Sequence, residues 1–321
     1  MRLYPNASFA LAALAEEVLA QPVVPSRNGD TKELAFLQFH ILHPRQREIL
    51  TPDRNASYAA QIAETMWVLA GRNDIGWLSA YLPRAAQFSD DGETWRGGYG
   101  PRIRRGHWDV DQLAHVVQLL QEDPDTRRAV INIYDPETDT EPGKDIPCNN
   151  WLHLLVRDGA LHLHVVARSN DLMWGWSGIN AFEWSVLLEV VAQLTDHAIG
   201  QMTFSISSLH IYEPYWPKAK WIAGQILDPW IGIDELPRYR GTDIRELDEQ
   251  LREWFRVEAR IRTGEATRED LLTFPDPLFR SWLVVLAVWW GYDYHLLEEL
   301  GLDETAAEEA LLNSPTRKGK R

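Results

Sequence analysis

Apolar residues recur at helical spacing from Ser8 to Leu19, after which Pro25, Asn28 and Gly29 mark Val23 to Lys32 as a polar loop. Glu33 to His43 reads as a strand. Ile62, Met66 and Leu69 share one stripe of a second helix, which Asn55 is placed to cap and which runs to about Ala70. The Gly- and Asp-rich stretch from Ser89 to Arg105 predicts a loop, and Asp109 or Asp111 opens a helix that stops before Pro124. The middle of the chain is strand-rich: Ala129 to Tyr134, Trp151 to Arg157 and Ala160 to Arg168, the last two joined by the hairpin signal Asp158-Gly159. Between the first two lies a polar loop, Asp135 to Pro147, which delivers Cys148 to the start of a strand. Ile179 to His197 predicts a long apolar helix, and Gln201 to Tyr212 alternates as a strand. From Asp243 onward the pattern is helical, with Trp282 to Trp290 apolar enough to be buried and a Lys-Arg tail expected to be disordered. The pattern is that of an α+β protein with a mixed sheet, divided into residues 1–240 and a helical extension, 241–321.

Composition narrows this further. At 321 residues and 45% apolar, the chain can bury a full core. There is no run of 18 apolar residues, and Glu16 and Glu17 interrupt the apolar part of the first twenty, so neither a membrane span nor a signal peptide is expected and the cytoplasm is. Thirty-two basic against 47 acidic residues leave a net charge of −15, which repels polyanions and argues against nucleic acid as a partner. A phosphate-bearing small ligand then needs a local arginine cluster. Arginines gather at Arg102, Arg104 and Arg105 and at Arg127 and Arg128, although such groups are also common as solvated charge. The fifteen tryptophans point to broad aromatic packing or to flat-ring ligands. A single cysteine excludes a disulfide framework and a cysteine-based metal cluster; no metal is expected.

Pro147-Cys148-Asn149-Asn150 sits where a long polar loop meets a strand, so the thiol can face a cleft while the sheet holds its neighbours. Position alone leaves Cys148 open between a buried structural thiol and a nucleophile. Arg168-Ser169-Asn170-Asp171 ends the adjacent hairpin strand, and an arginine beside a cysteine favours the thiolate, the nucleophilic form.

An ordered series of segments over residues 22–215 resembles the thymidylate synthase family, which includes the pyrimidine nucleotide hydroxymethylases. Ser26-Arg27-Asn28-Gly29-Asp30-Thr31 resembles its phosphate loop, Glu64-Thr65-Met66-Trp67-Val68-Leu69 its glutamate-bearing helix and Gly98-Tyr99-Gly100 its active-site tyrosine. Thr126-Arg127-Arg128 is similar to the arginine pair one subunit lends to the other's site, and Pro147-Cys148, Arg168-Ser169-Asn170-Asp171 and Ser208-Leu209-His210-Ile211-Tyr212 follow in family order. The resemblance implies the family's mixed sheet with flanking helices and a homodimer with shared sites. It implies that Cys148 adds to C6 of a pyrimidine nucleotide monophosphate and that 5,10-methylenetetrahydrofolate is the cosubstrate. Glu64 would order water and handle the proton at the ring's C4 substituent, while Tyr99 would assist loss of the C5 proton. Arg27, Arg168 and Ser169, with Arg127 and Arg128 of a second subunit, would hold phosphate. His210 and Tyr212 would meet the sugar 3′-hydroxyl, and Asp171 the pterin. A histidine on a strand is otherwise most simply a satisfied core residue.

The chain departs from the family in places that bear on the product. Asn149, where synthases usually carry histidine, follows the cysteine, and the aromatic loop before the tyrosine is matched by Gln87-Phe88-Ser89-Asp90-Asp91-Gly92. The family's short apolar C-terminus has no counterpart in Asn313 to Arg321. Arg168-Ser169-Asn170-Asp171 and Ser208-Leu209-His210 are more similar to a bacteriophage deoxycytidylate hydroxymethylase than to cellular synthases. These features predict a wetter site and water as the final nucleophile. Alignment without gaps from Arg168 puts Ile179 at the base-reading position, so a one-residue shift is needed to bring in Asn180, which favours uracil; Ser169 favours deoxyribose. The expected activity is C5-hydroxymethylation, with dUMP preferred to dCMP. The alternatives are thymidylate synthase and a nucleotide-binding relative without catalysis.

Overall fold

The computed structural model describes residues 1–49, 51, 54, 56–104, 109–225 and 237–302. The strand β1 (Leu3–Tyr4) leads into helix α1 (Ala7–Leu19), which Asn6 caps by accepting from Phe9 N. A hairpin follows, β2 (Val23–Ser26) and β3 (Gly29–Ile41). Next come α2 (Tyr58–Leu69), α3 (Ile75–Leu78), α4 (Tyr99–Ile103) and α5 (Gln112–Glu122). Asp111 caps α5, and Ser57 caps α2; Asn55, expected as that cap, lies outside the described residues, as do Arg105 and the C-terminal tail. β4 (Val130–Asn132), the short α6 (Pro136–Asp139), β5 (Asn149–Arg157), β6 (Ala160–Ala167) and β7 (Asn170–Asp171) fill the middle. A π-helical stretch, Leu172–Asn180, then runs into α7 (Ala181–Leu194), and β8 (Ala198–Tyr212) closes the sheet.

The sheet order is β1-β3-β8-β6-β5-β4, with β2 beside β3 and β7 beside β8, and it is mixed: β6 and β8 are parallel, β5 and β6 antiparallel. Asp158 (φ 53°) and Gly159 (φ 76°) both take the left-handed conformation that a two-residue hairpin turn needs, as the sequence predicts. Alternation sorts the sheet's two faces. Phe39, Leu154, Leu163, Val165 and Phe204 are buried on one face, whereas Trp151, His153, His164 and Thr203 on the other are half-exposed.

Three expectations are corrected. Val23 to Lys32 is a hairpin and not a loop: Val23 pairs Lys32 and Pro25 pairs Asp30 around the turn Arg27-Asn28. Its residues are mostly exposed on both faces, so cross-strand bonds and not apolar alternation make the strand. Ser89 to Arg105 contains α4, and the long helix expected from Ile179 begins as π-turns at Leu172. There Gly175 and Gly178 weaken α-helical winding, while the Ser177 hydroxyl donates to Leu172 O.

After α8 (Trp216–Ala223), the helices α9 (Ile244–Thr263), α10 (Arg268–Leu272), α11 (Pro277–Trp290) and α12 (His295–Glu299) pack on the same core. Asp243 and Asp276 cap α9 and α11, and Gly264 and Gly291 end them in left-handed conformations. Glu258 of α9, fully buried, accepts from Trp77 Nε1 (2.7 Å) and the Tyr81 hydroxyl (2.5 Å), and Trp282 packs 5.8 Å from Phe182. The tryptophans serve mainly as packing: Trp67, Trp176, Trp184, Trp254 and Trp282 are fully buried. Among the described residues, no helix is long and apolar enough to cross a membrane.

Candidate active site

Cys148 precedes the first residue of β5, and the adjoining strand end holds it. Arg168 N donates to Cys148 O (2.9 Å), Arg168 Nε to Pro147 O (3.1 Å) and Nη2 to Ile146 O (2.8 Å). That staple brings Nη2 to 3.9 Å from the Cys148 sulfur. Burial pushes the thiol above its ordinary value, the Arg168 guanidinium pulls it back, and Asp145 and Asp171 push it up again. The nucleophilic form therefore depends on positive charge at Arg168 and on neutralised carboxyls nearby.

Around the sulfur stands a ring of buried polar groups. Asn149 Nδ2 donates to the Tyr99 hydroxyl (2.7 Å), which leaves the phenol proton free to point elsewhere; Tyr99 also packs at a tilt against Trp184, 5.3 Å between ring centroids. Asn149 Oδ1 and Glu64 Oε2 are buried without a hydrogen-bond partner. Asp145 accepts from Trp95 Nε1 (2.6 Å) and raises Glu64. Glu183, in the first turn of α7, accepts from Asn180 Nδ2 (3.3 Å), and Asn180 Oδ1 accepts from Asn170 Nδ2 (3.0 Å).

Burial drives Glu64 from 4.5 up to about 8, and Asp145 adds to the rise. Between those values the unfolded chain has lost a proton that the folded chain keeps, so stability is full below about 4.5 and declines until the pH passes about 8. One such group contributes at most about 1.4 kcal/mol per pH unit. Glu64→Gln should therefore lose less stability than the parent between pH 5 and pH 8, measured by urea unfolding at both pH values. Identical losses in the two proteins would show that Glu64 is ionised normally.

The remaining residues named from the sequence fall into two groups. Asp171 pairs with His210 across β7 and β8, and His210 packs edge-on to Tyr212 at 5.0 Å. Asp171 also accepts from Met173 N (2.8 Å). Arg27 is exposed at the β2–β3 turn, and Thr31 beside it in the hairpin pairs with Tyr212, so the turn lies at the same end of the sheet. Ser169 adjoins Arg168 and is half-buried. Arg127 and Arg128, in contrast, are exposed just before β4, whose Val130 pairs with His153. Antiparallel pairing puts them at the far end of β5, roughly 20 Å along the strand from Cys148. One chain does not bring them to the thiol.

Two sequence readings change. Arg102 and Arg104 are neither solvated nor free for phosphate: Arg102 is held by Asp139 (2.6 Å) and Ile133 O, and Arg104 by Asp111 (2.9 Å) and Asp248 (2.6 Å). The loop before Tyr99 also does not lack an aromatic wall. Trp95, four positions before the tyrosine, stacks on Phe88 at 5.3 Å and lies 6.2 Å from Trp67. Asp145, Asn170 and Glu183 were not singled out from the sequence as site residues. For Glu183 a signal existed, an acidic residue inside the apolar run 179–197, but Glu189 in the same run instead pairs with Arg47.

A thymidylate synthase family model matches residues 15–252. The chain is 36% identical over 201 residues to the deoxyuridylate hydroxymethyltransferase of Delftia phage PhiW-14, covering 59% of this chain and 55% of that protein. It is 32% identical over 251 residues to the one from Pseudomonas phage M6, covering 74% and 68%. The match thus spans little more than half the length of the first relative. Among solved structures, the thymidylate synthase of T4 phage superposes with a TM-score of 0.57 at 21% identity, over 68% of this chain and 81% of that one, a likeness of fold.

Proposed function

The chain belongs to the thymidylate synthase family, and from that premise we propose that it adds a hydroxymethyl group to C5 of dUMP, with 5,10-methylenetetrahydrofolate as cosubstrate. The observation that carries the reading is the thiol of Cys148 held 3.9 Å from Arg168 inside a ring of buried, unpartnered polar atoms. Addition of the Cys148 sulfur to C6 pushes electron density onto C5, which has no nucleophilic character otherwise. Tyr99 assists loss of the C5 proton to water, and Glu64, a neutral acid below about pH 8, orders water and handles the proton at the ring's C4 substituent. Arg27, Arg168 and Ser169 hold phosphate, His210 and Tyr212 the 3′-hydroxyl, and Asn180 pairs with the uracil edge. The Asp171 carboxyl, an acceptor for N–H groups, and the stacked Phe88–Trp95 rings, a flat apolar face, fit a pterin. The folate supplies the one-carbon unit.

The active form is a homodimer in which a partner contributes Arg127 and Arg128. Their distance from Cys148 and the half-exposed sheet face around Trp151 and His164 support this. Residues 1–240 form the catalytic part, and α9 to α12 of the extension 241–321 brace it.

Water, not hydride, completes the reaction in this reading. Buried Asn149 Oδ1 is an acceptor suited to a water, and the hydroxymethyltransferases among the relatives support it. The runner-up is thymidylate synthase, favoured by the apolar surface that the stacked Phe88–Trp95 pair offers. A barrier difference of about 1.4 kcal/mol is tenfold in product ratio, so the outcome must be measured. Incubation with methylenetetrahydrofolate and dUMP, followed by chromatography with mass detection, should give 5-hydroxymethyl-dUMP with tetrahydrofolate. Thymidylate with stoichiometric dihydrofolate would establish the synthase instead; product from dCMP but not dUMP would overturn only the role of Asn180.

A further inference from the structure

Glu183 is 2% exposed on an otherwise apolar stretch of α7, and its Oε1 has no hydrogen-bond partner. A buried carboxyl with an unpartnered oxygen costs free energy that an apolar residue at the same place would not. It faces the site: Glu64 acts on it electrostatically, and it acts in turn on Tyr99. Its other oxygen accepts from the Asn180 amide, which Asn170 holds from the opposite side.

We infer that Glu183 is a specificity-determining residue: with Asn170 it locks the Asn180 amide in one orientation, and its second oxygen selects a carbonyl over an amine at the pyrimidine 4-position. The inference deepens the proposed nucleotide reading and rests on it. An asparagine amide meets uracil with its oxygen on N3–H and its N–H on O4, and meets cytosine when rotated by a half-turn. Asparagine alone does not discriminate. Here the Asn170 N–H fixes the amide oxygen and Glu183 Oε2 fixes the amide nitrogen, leaving the uracil orientation. Because Oε2 is the accepting oxygen, a proton on the neutral acid sits on Oε1, where it is a donor. Burial first, and then the Glu64 carboxyl, push Glu183 above the usual carboxylate range, toward the protonated form. A donor suits the uracil O4 and opposes the cytosine amino group.

The test is equilibrium binding of dUMP and of dCMP to the full chain, by tryptophan fluorescence, independent of turnover. Glu183→Gln places an amide N–H where the acid O–H stood, and it should keep the dUMP:dCMP affinity ratio within about threefold. Glu183→Leu should lower the ratio at least about tenfold, mainly by weakening dUMP. Asn170→Ala, which removes the other hold on the amide, should also lower it and serves where the leucine variant does not fold. An unchanged ratio in either folded variant overturns the inference while leaving the nucleotide reading intact. A parent protein that binds neither nucleotide overturns both, and one that prefers dCMP overturns the inference and the role of Asn180.

Discussion

Cys148→Ala should lower turnover by about 10⁴-fold or more while dUMP still binds within a few-fold of the parent affinity, because the sulfur forms the covalent bond yet adds little to the phosphate contacts. The substitution is small and the site tolerates it: Cys148 lies at a loop end whose backbone is stapled by Arg168 through Pro147 O and Cys148 O, bonds that do not involve the thiol. Release of the C5 hydrogen from labelled dUMP reads the chemistry, and fluorescence titration reads binding. Normal hydrogen release by the alanine variant would remove Cys148 from the mechanism altogether. A loss of binding equal to the loss of turnover would make it a structural thiol.

Mixing inactive Arg128→Ala chains with inactive Cys148→Ala chains should restore about a quarter of parental activity. Half the dimers in an equal mixture are mixed, and each holds one intact site of two. The expectation follows from the register of the edge strands, which puts Arg128 at the far end of β5 from the thiol of its own chain. Both residues are outside the core, Arg128 exposed and Cys148 half-buried, so neither change should prevent folding. Mixed dimers confirmed by tagged pull-down but without recovered activity would mean that each site is complete within one chain.

The family was legible because its marks sit in short segments whose order and residue types recur along the chain. Pro147-Cys148 and Arg168 were paired from sequence by the hairpin logic of Asp158-Gly159, and the 3.9 Å approach follows from that register. Local spacing does not point to Trp95, which lies outside 87–92; its contacts with Phe88 and Trp67 arise from the folding of the loop onto α2. Arg102 and Arg104 read as surface charge for a similar reason. Their partners Asp139, Asp111 and Asp248 lie 7 to 144 residues away, and nothing in local spacing announces a buried ion pair.

The sequence by itself determined the elements whose signals are local: capped helices such as α9 and α11, and the β5–β6 hairpin. Only the tertiary structure decided what depends on neighbours distant in the chain. Edge strand β2 exists because β3 offers it hydrogen bonds, and the π-turns at 172–180 persist because Arg54 binds Ser177 (3.1 Å) from outside the segment. The ionisation of Glu64 and Glu183 was likewise undecided in the sequence. A carboxyl's pKa is set by the water and charge that folding removes or brings near, and these two are driven upward only because α2 and α7 bury them side by side.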